Sequence, residues 1–158
     1  MNAANTSGIS LTKSSDHSVK AFATLRFVGD DLDPDEISRT LAEQPTKAHR
    51  KGERFSPGPR SPAVVGKTGV WYFSTRRRVL SADINDHLEK IIDVIFPVAD
   101  GEQKFTSIRD MMRDKHIQAH VTVFWRGPSN AAMPSIPNRI IDQLRRLPAD
   151  IERDFDAL

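Results

Sequence analysis

An α+β domain, with a mainly antiparallel sheet and helices on one face, is the fold class this sequence predicts. Three observations carry the prediction. Val19–Val28 and Ile117–Trp125 both alternate apolar and polar residues with period two, as half-buried strands do. Ile84, Leu88, Ile91, Ile92 and Ile95 fall on one face of a helix. Pro45, Pro97 and Pro148 each close a helical segment and so keep the elements short. A second arrangement fits the same pattern. The order strand, polar loop, helix started by proline, proline and extended piece occurs from Val19 and again over Ile117–Phe155, which suggests two ferredoxin-like βαβ halves.

In chain order, the first strand turns Ala21, Ala23, Leu25 and Phe27 to one face, with Lys20, Phe22, Thr24 and Arg26 on the other. Gly29 ends it. Asp33 is placed to cap the next helix, Pro34 suits its first position, and Glu36 would complete a capping box. Ile37 and Leu41 give that helix a narrow apolar face. Residues 46–53 read as extended and 54–67 as a mobile Pro/Gly-rich loop without period. Thr68–Thr75 is aromatic and β-branched, hence a strand. Asp83 or Ser81 caps the isoleucine-rich helix, whose His87 is expected on the exposed side. A shorter helix is expected from Thr106 or Ser107 through Met112. Ile117, Ala119, Val121, Val123 and Trp125 line one face of the next strand, and Gln118, His120, Thr122, Phe124 and Arg126 the other. A helix beginning near Pro137 carries Ile140, Ile141, Leu144 and Leu147, and a last strand runs from Ala149 to Phe155 with Ile151 and Phe155 inward.

A chain of 158 residues, 38% apolar and 28% charged, fits one domain with its own core. Residues 1–18 lack the basic start and apolar middle of a signal peptide and read as a disordered leader, leaving 19–158 as the domain. The apolar runs are too short to cross a membrane, so no membrane association is expected. The absence of cysteine removes disulfides, thiolate nucleophiles and cysteine metal sites, and a cytoplasmic location is the default. The net charge of +2 is unevenly spread. Between Gln44 and Leu80 stand Lys47, Arg50, Lys51, Arg54, Arg60, Lys67, Arg76, Arg77 and Arg78, against the single acid Glu53. Acids gather instead at Asp30–Glu36 and Asp150–Asp156. The molecule is therefore polarised unless the fold interleaves these segments.

The acidic run could suggest a hard-cation site, but capping accounts for Asp33 and Glu36 and the helix dipole for Asp35, leaving Asp30 and Asp31 as solvated turn residues. His116 and His120, four apart on a strand, are separated by about 13 Å of rise, too far to share a metal. No nucleophile elbow, P-loop or dinucleotide-binding glycine motif is present. No catalytic residue, cofactor or metal is expected on these grounds. The aromatic strand 69–73 could stack bases, though such strands more commonly supply core.

"FVGDDLDPDEISRTLAEQPTKAHRKGE", "GVWYFST", "INDHLEKIIDVI" and "LPADIERDFDA" together resemble the DUF4279 family, small and mostly bacterial single-domain proteins of unassigned function. The resemblance spans Val19 to Asp156. Its most specific parts are the Gly29–Ile37 turn and helix, Lys51-Gly52, and Gly69 with Trp71. The chain departs from the family where Ala42-Glu43 stand in place of a common glycine, and near His49, where the family has an aromatic. The resemblance implies an α+β fold and transfers no active site.

The functional expectation is a binding module without chemistry of its own, recognising an acidic protein partner; neutralising a toxin would be one version of that role. The residues expected to bind are Lys47, His49, Arg50, Lys51, Arg76, Arg77 and Arg78. A nucleic acid held by the basic 44–80 segment is the alternative. An enzyme using His120, Arg26 and a carboxylate on a shared polar face is the third class, and no proton-relay or nucleophile motif supports it.

Overall fold

The alternation of the first strand sets the architecture. Ala23, Leu25 and Phe27 are fully buried, so β1 (Lys20–Gly29) must pair on both edges and be covered on one face. It runs antiparallel to β5 (Gly69–Ser74) on one side and to β6 (Gln118–Gly127) on the other. β2 (Lys47–His49) pairs with the far edge of β5, and β7 (Ala149–Ala157) lies parallel to β6. The resulting five-stranded sheet has the order β2-β5-β1-β6-β7. This computed structural model describes residues 19–128 and 130–157, and of residues 152–157 the backbone alone. The expected leader, 1–18, and the inward placing of Phe155 lie outside the described residues.

Four helices complete the fold: α1 (Pro34–Leu41), α2 (Ile84–Ile95), α3 (Gly101–Asp114) and α4 (Asn138–Arg145). α2 lies across β1 and β6, α1 touches β5 and α3, and α4 touches α2. Their apolar stripes join Leu25, Phe27, Trp71, Phe73, Val121 and Val123 in one core. Each such side chain contributes roughly 1.5–3 kcal/mol by leaving water. Trp71 is fully buried and donates its indole N–H to Ser38 Oγ at 3.0 Å, which ties β5 to α1. The opposite face of the sheet carries Arg26, Tyr72, His120, Phe22 and Phe124, none of them in the core.

The connectivity β1-α1-β2-β5-α2-β6, with sheet order β6-β1-β5-β2, is one ferredoxin-like unit. The two βαβ halves are therefore unlike. β5 is inserted between the parallel strands of the first, whereas β6 and β7 of the second are direct neighbours.

Several local expectations hold and several need correcting. Asp33 caps α1 by accepting from Asp35 N–H at 3.0 Å, and Asp83 caps α2 through Asn85 N–H at 2.8 Å. Glu36 pairs with Lys115 at the end of α3 instead of serving the α1 cap. α3 begins at Gly101, several residues ahead of the expected start, because Phe105 adds a turn to the face made by Ile108 and Met112. His87 is buried, not exposed: its ring nitrogens meet Thr75 Oγ1 at 2.7 Å and the Ser81 carbonyl at 2.9 Å. Thr75 in turn bonds the backbone of Ala23, so these polar groups satisfy one another inside the core. Within the aperiodic 54–67 segment, β3 (Arg54–Phe55) and β4 (Val64–Val65) form a two-stranded ribbon. Ala42 ends α1 with φ of 52°, a left-handed position that favours glycine.

Candidate functional site

The sheet register assembles a line of polar side chains on the uncovered face. Lys47 stands opposite Tyr72, Tyr72 opposite Arg26, Arg26 opposite His120, and His120 opposite Asp150. One residue from each of the five strands thus forms a row across the sheet. His120 Nδ1 lies 3.7 Å from Asp150 Oδ2, beyond hydrogen-bonding distance. Arg26, His120 and a carboxylate do share a face, as the enzyme alternative requires. Among the described residues His120 Nδ1 has no hydrogen-bond partner, so the orienting bond that a general base uses is not made at that nitrogen.

At the β2 end of the row, the ribbon folds over the sheet. The His49 ring stacks on Phe55 with centroids 3.8 Å apart, and Lys47 Nζ donates to the Pro57 carbonyl at 2.9 Å. The approach is close: a Cβ on Gly66 would stand 2.6 Å from the His49 ring. A groove of about 520 Å³ remains between ribbon and sheet. Val70, Tyr72 and Phe55 give it an apolar floor, Arg26 and Lys47 give it cations, and the His49 ring lines it beside Phe55.

The seven residues expected to bind do not form one patch. Lys47 and His49 line this groove. Arg50 and Lys51 turn away and meet the acidic loop. Arg50 donates to Asp33 Oδ1 at 2.6 Å and to Asp35 Oδ2 at 2.5 Å, and Lys51 Nζ to Asp30 Oδ2 at 2.5 Å. The turn that aims them there needs Gly52, whose φ is 80°. Asp30 is thus paired, not simply solvated. Its hydrogen bond from Lys51, with a second from Thr68, holds its carboxyl below the usual carboxylate range. Partial burial pushes Asp33 up, but the Asp35 N–H and the Arg50 guanidinium outweigh it and the net shift is downward. The same bonds raise Arg50 and Lys51. Arg78 is also engaged, with Glu43 Oε1 at 2.8 Å, the Gln44 carbonyl at 2.9 Å and the Phe73 ring 4.5 Å from its Cζ. Arg76 lies over Phe22 at the other end of β1, and Arg77 is exposed, with no ion pair among the described residues. The fold therefore interleaves the acidic and basic segments and cancels much of the polarity that the sequence displays.

Arg26 and Tyr72 join the binding candidates. Arg26 lies outside the basic segment, and Tyr72 sits within an aromatic strand that reads as core; only the register brings them beside Lys47. Among the described residues, no three His, Asp or Glu side chains come together as a metal site, and no helix is long and apolar enough to cross a membrane. No curated protein and no solved structure matches the chain. A family model does, over residues 17–158, and by that match the chain belongs to the family described as a domain of unknown function, DUF4279.

Proposed function

We propose that this protein is a binding module that recognises an acidic protein partner on the uncovered sheet face, without chemistry of its own. The observation that carries this reading is the groove beside β2, where Arg26, Lys47 and His49 surround an apolar floor and no carboxylate lines it among the described residues. Apolar contact supplies affinity there, while the cations select an acidic partner and orient it. Nucleic acid is the weaker reading. Arg50, Lys51 and Arg78 are already neutralised by carboxylates, and Asp150 stands in the same row as Arg26. Both leave fewer cations for a phosphate backbone.

The test compares three baits in affinity capture from the source cells: the wild type, Arg26→Glu/Lys47→Glu, and Arg50→Glu/Lys51→Glu as the control in the neutralised turn. The captured protein is then purified and titrated against each bait. An acidic protein lost with the first variant and retained with the second supports the reading. Equal loss with both variants overturns it. So does tight binding of random single- or double-stranded oligonucleotides that weakens steeply with salt and displaces the captured protein.

A further inference from the structure

We infer that the partner engages this face through an extended segment with two acidic points, and that the second is held in a concavity at the other end of β1. The inference rests on the acidic-partner reading and names the partner's shape. This second concavity, of about 500 Å³, is lined by Lys20, Phe22, Arg76, Leu80, Phe124 and Arg126. No carboxylate lines it among the residues whose side chains are described; Asp154 and Asp156 of β7 stand in register with Phe124 and Arg126, on the side away from Arg76.

The chemistry of its wall is specific. Phe22 and Phe124 are register partners with stacked rings, centroids 4.6 Å apart. Arg76, in the turn after β5 and away from β7, has its Cζ 5.5 Å from the Phe22 centroid. A guanidinium laid on a ring is held in plane while the N–H groups on its edge stay available, the geometry that grips a carboxylate bidentately. Among the described residues Arg76 makes no ion pair, so none of them takes up those donors. Leu80 is 98% exposed at the rim and offers an apolar contact that the fold itself does not use.

The two concavities are separated by the row Ser74–Thr24–Thr122, of which Ser74 and Thr24 are buried. Phe22 and Arg26 are four residues apart on one strand, a span of about 13 Å. An extended chain covers that distance in about four residues. A segment with acidic residues at both ends and small or apolar residues between them fits both points at once. Joining two weak contacts on one short chain multiplies their affinities through effective concentration.

The probe is a fluorescein-labelled peptide with two glutamate pairs separated by three residues, the middle one leucine. An isomer of the same composition with its four glutamates contiguous is the control. Anisotropy is measured with the wild type, Arg26→Glu and Arg76→Glu, and with Arg26→Gln and Arg76→Gln if a reversal disturbs the circular dichroism. The inference expects the spaced peptide to bind more tightly than the contiguous one and each arginine change to weaken it by about tenfold or more. If Arg26 matters and Arg76 does not, the two-point inference fails and the acidic-partner reading stands. If the two peptides bind equally, the spacing argument fails in the same way. If neither peptide binds, or neither arginine matters, the inference fails; whether the acidic-partner reading falls with it is decided by the capture experiment.

Discussion

Two cationic regions lie within one molecule and meet opposite fates. In the turn after β2, Arg50 and Lys51 are matched by Asp33, Asp35 and Asp30. On the open face, Arg26, Lys47 and Arg76 have no carboxylate partner among the described residues. Lys47 and Arg50 are three residues apart in the chain, yet the edge strand and its turn send them to different sides of this division. A basic stretch is thus not a unit of function. What distinguishes its members is whether the fold has already supplied their counter-charge.

Perturbing the framework that both regions share gives the largest expected effect. Trp71→Ala removes a fully buried side chain and the bond to Ser38, and should cost about 3–5 kcal/mol in urea unfolding. A loss below about 1 kcal/mol would mean that the site collapses around the gap. Gly66→Ala acts on the open face alone. Its Cβ meets the His49 ring at 2.6 Å and the Arg50 carbonyl at 3.0 Å, so the ribbon must shift. A cost of about 1–3 kcal/mol is expected, with weakened partner binding; unchanged chemical shifts at His49 and Phe55 would contradict it. Asp33→Ala acts on the neutralised turn. It should destabilise by about 0.5–2 kcal/mol through the lost cap and leave partner binding as it was. Loss of binding with stability intact would make the acidic loop functional and erase the distinction between the regions. Ala42→Gly, at the end of α1, should stabilise by about 1 kcal/mol because glycine takes the left-handed angle without strain. A lowered midpoint would show that the alanine methyl makes a contact worth more than the strain.

Acid separates the two regions most gently. Asp30 and Asp33 have folded pKa values below their ordinary ones, so their contribution is complete above about pH 4 and is lost as pH falls through the lowered values. The urea midpoint of the wild type should therefore fall more between pH 5 and 3 than that of Arg50→Ala/Lys51→Ala. Parallel curves would show that these pairs contribute nothing in solution.

Much of the fold was legible in the sequence. Period-two alternation placed β1 and β6, the isoleucine spacing placed α2, and the cap at Asp33 placed α1. His87 was misplaced because helical periodicity ranks it polar, while its burial depends on Thr75 and Ser81 meeting both ring nitrogens. The ribbon β3–β4 was invisible because two-residue strands carry no period. Of the site, Phe22 and Phe124 stood out as apolar residues on polar faces, yet only strand register shows that they stack. Register likewise brings Lys47, Tyr72 and Arg26 together, and period-two patterning reports which face a residue takes without reporting its neighbour.

The central place of β1 also bears on how the chain reaches this structure. Its two ladders join Phe27 to Trp71 and Ala21 to Trp125, so neither can close until a long stretch of chain has been gathered in. Refolding from urea should therefore lie toward the slow end of the range for mixed domains of this size, and its rate should respond to changes at the β1–β6 seam. Before closure, β1 exposes two unpaired edges and an apolar face, so the chain is most vulnerable to sticking to its own copies in that interval. Yield on refolding should accordingly fall as protein concentration rises.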